Sequence, residues 1–200
     1  MNNKMVSTII LSLAFICVAV SAYSCWNYGN AHATLSKYEE IVINEIPEIK
    51  DVVVRYNTYK VPDTSGFKSY MDYRYITYID SLQYVLQSEY AYTGNHGIRM
   101  VGDRYCIAVG SYFTTEIGQY IDLVLDNGEV IPCILGDQKS DEHTDDNNIV
   151  TISNGCISEF IVDTDSLDNM AKICGNISYC RDEWMSPVVQ VRVYDENVFY

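Results

Sequence analysis

Between Gly136 and Asp146 the chain reads Gly-Asp-Gln-Lys-Ser-Asp-Glu-His-Thr-Asp-Asp, the one stretch where carboxylates and a histidine crowd together in sequence. Groups of this kind suit proton transfer: a carboxyl with a raised pKa donates to a leaving oxygen, and its conjugate base then withdraws a proton. Asp137 closes an apolar segment that begins near Glu129, and Asp163 closes a second one, Cys156 to Val162. Two such carboxyls held side by side repel, so one stays protonated near neutral pH while the other is ionised. Asp137 and Asp163 form such a pair if the two segments end at one groove. His143 has three readings: general base, metal ligand or surface residue. His96 stands among glycines in Gly94-Asn-His-Gly97, from where it could reach a groove. Tyr112, Lys139 and Asp145 complete the candidate substrate-binding set with His96 and His143. Asp137, Asp141, His143, Asp145 and Asp146 lack the regular loop spacing of a calcium hand, and no metal is expected there. Ordinary structural roles compete throughout, since aspartates commonly pin turns through backbone hydrogen bonds. The sequence contains no Gly-x-Ser-x-Gly, phosphate-loop or His-Glu-x-x-His pattern, and no cofactor is expected.

The elements that must position these groups are mostly strands. Arg104 to Val109 is a near-continuous apolar run. Tyr120 to Leu125 and Glu129 to Leu135 flank Asp126-Asn127-Gly128, and Asn-Gly is among the strongest hairpin signals. Cys156 to Val162 and Val188 to Tyr194 read as further strands. Asp80-Ser81 is placed to cap a short helix over Leu82 to Glu89. Ser166 to Ile173 suits another, with Gly175 as its stop. Five or six strands with short helices and no internal repeat predict a mainly β fold, a small closed barrel.

Upstream, Val6 to Tyr23 is uncharged and follows Lys4. It approaches the roughly 20 residues needed to span a bilayer, and Lys4 on the short side orients the rest outward. Cleavage after Ala22 and lipidation of Cys25 are the alternatives, and all three imply export. The expected organisation is a signal anchor over 1–25, a membrane-proximal stalk over 26–66, a tyrosine-rich helical lead-in over 67–92 and a barrel over 93–200. The formal charge is −14, so the field of the chain repels polyanions and argues against nucleic-acid partners. Eighteen tyrosines stand against five phenylalanines. Such rings stack on sugars or peptides, or pack half-buried in strands. Of seven cysteines, five fall in the C-terminal half, enough for two bridges and one left over in an oxidising exterior, or for free buried thiols. Cys174 and Cys180 are close enough in sequence to close a small loop. The absence of a Cys-x-x-Cys pair argues against structural zinc.

The order of these segments resembles the double-psi β-barrel of rare lipoprotein A and of the three-aspartate domains of cell-wall enzymes. The carriers are Gly94-Asn-His-Gly97, the strand Cys106-Ile-Ala-Val-Gly110, Glu116-Ile-Gly118, the Asn127-Gly128 hairpin, Ile134-Leu-Gly-Asp137, Phe160-Ile-Val-Asp163 and the helix stopped by Gly175. The resemblance implies a six-stranded double-psi barrel with short helices, preceded by a transmembrane helix and stalk. It also implies an extracytoplasmic, membrane-tethered protein that cleaves peptidoglycan glycan strands as lytic transglycosylases do, with Asp137 as general acid/base and Asp163 ordering it. The chain departs from the pattern at Gly110, where the family has an aspartate, and lacks a histidine near that strand. Those departures support the alternative, a non-catalytic module that holds cell-wall polymer or a partner protein.

Overall fold

The computed structural model describes residues 55–200, and the expected anchor over 1–25 lies outside them. Among the described residues no helix is long and apolar enough to cross a membrane. The fold is mainly β. In chain order the elements are β1 (Tyr56–Lys60), β2 (Ser69–Asp72), helix α1 (Leu82–Val85), which runs on as a π turn over Leu86–Tyr90, then β3 (Tyr92–Thr93), β4 (Arg99–Val101), β5 (Arg104–Val109), β6 (Gln119–Leu125), β7 (Val130–Gln138), β8 (Ser158–Val162), α2 (Asn169–Cys174) and β9 (Val188–Asn197).

Several elements form for local reasons that the chain states openly. The β6–β7 hairpin turns at Asn127-Gly128: Gly128 takes φ +87°, and the Asn127 side chain accepts the Glu129 N–H at 3.1 Å. Ser81 caps α1 by accepting the Tyr84 N–H at 3.1 Å. Gly175 stops α2 in the left-handed conformation at φ 63°, which lacks a Cβ penalty only for glycine. From Tyr105 to Val109, β5 is buried on both faces, as its unbroken apolar run requires.

The sheet is mixed and open. Its order is β1-β9-β6-β7-β5-β4-β3, with β8 also on β5 and β2 on β8. Most pairs are antiparallel, but β5/β7 and β2/β8 are parallel. The closed six-stranded barrel is therefore corrected to an open, forked sheet of nine strands. The physical reason lies in β5. One edge pairs with β7 along its length, while the other is divided between β4 at Tyr105 and β8 from Ile107 onward. The fork sends β3 and β2 to separate ends, so among the described residues no strand returns to β1. The expected divisions at 66 and 92 also fall inside the sheet: β1, in the predicted stalk, pairs with β9, and β2, in the predicted lead-in, pairs with β8.

The core gathers Ile107, Leu123, Ile134, Phe160 and Val191 with Leu86 and Trp184, all of them at most 1% exposed. Trp184 stacks on Phe160 with centroids 5.7 Å apart and meets Tyr105 edge-on at 5.1 Å. The register slips between Ile107 and Ala108, so that Leu135 faces Ile107 and Asp137 faces Ala108, with Gly136 extruded as a bulge. A Cβ on Gly136 would stand 2.7 Å from Ile161 Cδ1 and 3.1 Å from Cys106 Cβ, so a larger residue there would have to displace packed core side chains. Bulges of this sort re-aim the following side chain, here Asp137.

Candidate functional site

Asp137 lies in one lateral row of the sheet. It faces Ala108 of β5, Ala108 faces Glu159 of β8, and Glu159 faces Ser69 of β2. Residues in one row share a face, so the two carboxyl side chains lie on the same covered side of the sheet as Ala108. Their Cα atoms stand about two strand spacings, roughly 9–10 Å, apart. The Asp137 carboxyl accepts the N–H of Gln138 at 2.8 Å. Burial pushes its pKa up, the Gln138 N–H opposes that, and the neighbouring Glu159 charge raises it further. Lys139 is two residues on and 8% exposed; its ammonium donates to Glu159 Oε2 at 3.2 Å. Ser69 Oγ meets Glu159 Oε1 at 3.4 Å and Cys156 Sγ at 3.1 Å.

Asp163 is elsewhere. It lies four residues beyond Glu159, about 13 Å along the strand direction, and its oxygens are engaged. Oδ1 accepts the Asp165 N–H at 3.2 Å, and Oδ2 accepts the hydroxyls of Ser166 at 3.2 Å and Thr93 at 3.5 Å. Asp137 and Asp163 end strands that run in opposite directions about β5, so the expected catalytic pair does not meet. That pairing is corrected: the carboxyl beside Asp137 is Glu159.

The acid-rich loop does not converge on one point either. Asp145 Oδ1 accepts the N–H groups of Ile149 at 2.7 Å and Val150 at 2.8 Å, and the Val150 N–H foremost holds its pKa down. Asp141 Oδ1 accepts the Ser111 hydroxyl at 2.6 Å. His143 is exposed at the end of a 3-10 turn, Asp141–His143. Tyr112 is half exposed and lies edge-on to Tyr59 and Phe113. Asp145 and Lys139 are thus tied into the fold, as loop clasp and ion-pair partner, rather than presented to a ligand. His96 Nδ1 lies 2.7 Å from Asp168 Oδ2, its N–H donating to the carboxylate. Nearby Cys180 has its thiol pushed up to about 12 by burial first and then by the Asp168 charge. This argues against a resting thiolate nucleophile.

Two hollows open beside Arg74, which lines both. One, about 410 Å³, is lined by Tyr70, Met71, Asp72, Arg74, Tyr75 and Thr164. The second, about 360 Å³, lies among Tyr73, Ile76, Ile79, Tyr84 and Gln87. Their shared wall is braced. Arg74 donates to Asp72 at 2.7 Å from both Nε and Nη2, to Asp165 at 2.8 Å and to Thr164 Oγ1 at 2.9 Å. The Arg74 guanidinium in turn holds the Asp72 carboxyl well below the usual range. Around the hollows Tyr75 and Tyr78 are 79% and 68% exposed. The tyrosine density of residues 70–90 was the available sequence signal for this surface; the braces from Thr164 and Asp165, some 90 residues away, left none. Comparison with family models, with curated proteins and with solved structures gives no match for this chain.

Proposed function

We propose that this protein is an exported, membrane-tethered module that holds the glycan strands of peptidoglycan on the tyrosine face of residues 70–90. The observation that carries the reading is the pair of hollows joined at Arg74, walled by Tyr70, Tyr73, Tyr75 and Tyr84. Tyrosine rings offer a flat apolar face and a hydroxyl, the combination that suits sugar rings. The Arg74 guanidinium in the wall is already neutralised by Asp72 and Asp165, and the chain carries −14. A neutral, hydroxyl-rich polymer therefore fits better than a polyanion. The hydrophobic run Val6 to Tyr23 supports the tether and the outward orientation. Kinship with the double-psi cell-wall proteins is part of the same proposal, supported by the order of segments from Gly94 to Gly175 rather than by closure of the sheet.

The test is co-sedimentation of the detergent-solubilised full chain with purified sacculi. Covering about half of one exposed tyrosine, roughly 80 Å², contributes about 2 kcal/mol. Tyr75→Ala with Tyr78→Ala should therefore weaken retention at least tenfold, while Asp137→Ala leaves it unchanged. Equal retention of wild type and the double variant, or none by wild type, removes the reading.

A second reading rests on a separate observation. Asp137 has a raised pKa and a carboxyl neighbour in Glu159, the arrangement that keeps an acid protonated for glycosidic cleavage. Release of muropeptides from sacculi by wild type but not by Asp137→Asn would support it. Absence of release by both leaves the holding module alone.

A further inference from the structure

From the meeting of His96, Asp168 and Cys180 we infer a binding site for a divalent transition cation, zinc above all. A ring nitrogen of His96, a carboxylate oxygen of Asp168 and Cys180 Sγ all lie within 4.8 Å of one another. The three come from separate segments: the glycine loop before β4, the residue preceding α2, and the 3-10 turn Ile177–Cys180. In a tetrahedral zinc site, bonds of about 2.0–2.3 Å place ligand atoms roughly 3.3–3.8 Å apart. The His96–Asp168 contact of 2.7 Å would open by less than about 1 Å, and the thiol would close by a similar amount. These are side-chain adjustments, not backbone ones.

The backbone is already committed to the arrangement. His96 sits at φ 62°, followed by Gly97 at φ 76°, a left-handed pair that costs a histidine energy and marks positions where the surroundings dictate the conformation. The loop is sewn to the 163–168 segment by the Asp163 N–H to the Gly97 carbonyl at 2.8 Å and the Asp168 N–H to the His96 carbonyl at 3.3 Å. A Cβ on Gly97 would fall 2.4 Å from the Leu167 nitrogen, so the two segments lie in direct contact. His96 is thus delivered to Asp168 by backbone contacts that hold without any ion. The donor set then selects the cation. Thiolate and imidazole favour zinc over the hard cations magnesium and calcium, which take oxygen. With His96 and Asp168 side chains 30% and 44% exposed, an ion has a route in, and solvent can fill a fourth position.

The test uses the full chain in detergent, reduced and freed of metal, titrated with Co²⁺ and then Zn²⁺. One equivalent of Co²⁺ should give a thiolate-to-cobalt charge-transfer band that Zn²⁺ abolishes, and Zn²⁺ should raise the melting temperature. Cys180→Ser should remove the band. His96→Asn, which retains a residue tolerant of the left-handed backbone, should weaken zinc at least tenfold. Cys174→Ser, altering the exposed thiol on α2, should change neither. Absence of the band in wild type overturns the site, as does a band that survives Cys180→Ser or disappears in Cys174→Ser. Melting curves of the metal-free variants identify any that fail to fold; Asp168→Asn then serves in their place, and zinc affinity unchanged in it counts against the site.

Discussion

Lys68 enters the core with no carboxylate partner among the described residues, and that predicts an unusual dependence of stability on pH. It is 1% exposed. Its ammonium donates to the carbonyls of Gly66 at 3.0 Å, Trp184 at 2.6 Å and Ser186 at 2.9 Å, and to Ser178 Oγ at 3.4 Å. It thereby pins the start of β2, and with it the tyrosine face, to the 178–186 segment. Burial pushes its pKa from 10.5 down to about 8. Between those values the unfolded chain binds the proton and the folded one does not, so this group makes stability rise with pH across that window. The penalty is present in full below the folded pKa and is gone above the unfolded one. At 1.36 kcal/mol per pH unit the full rise is about 3 kcal/mol. Lys68→Met removes it. The variant also leaves buried carbonyls unpaired, at about 1–3 kcal/mol each, which offsets the recovered penalty near neutral pH. The slope, not the absolute stability, therefore discriminates. Urea unfolding of both proteins from pH 8 to 10.5 should show wild type gaining about 3 kcal/mol relative to Lys68→Met. Titration of the many tyrosines is common to both and cancels in the difference. Parallel curves would refute the account, because they would mean that Lys68 stays charged inside the fold.

Two further outcomes follow from the candidate site. The Asp137 carboxyl is raised by burial, so its folded pKa lies above its unfolded one, and the stability it contributes is present at low pH and lost as pH rises through the folded value. Asp137→Asn should be more stable than wild type at pH 7 and indistinguishable from it near pH 3, as read by urea midpoints. Gly97→Ala should lose more than about 2 kcal/mol, since it combines a positive φ with a Cβ driven into the Leu167 backbone. Thermal melting checks it, and a variant as stable as wild type would show that the loop is not clamped to the 163–168 segment.

The chain's own residues determined whatever could be settled within a few positions. Asn127-Gly128 makes the β6–β7 turn because its left-handed glycine and side-chain acceptor need no distant partner. Ser81 and Gly175 bound their helices for the same reason. The apolar run of β5 implies burial on both faces, and two covered faces are what it received. Which strand lies beside which was decided only in the tertiary structure. Asp163 ends a strand just as Asp137 does, but β8 runs antiparallel to β5 while β7 runs parallel to it, so the two aspartates part and Glu159 takes the neighbouring place. Strand direction is a property of the pairing and not of any local pattern, because a strand's alternation reads the same either way along the chain. The same holds for His96, Asp168 and Cys180, and for Arg74 with its braces at Thr164 and Asp165. Their contacts close loops of roughly 70–90 residues, and only the packed sheet brings those positions together.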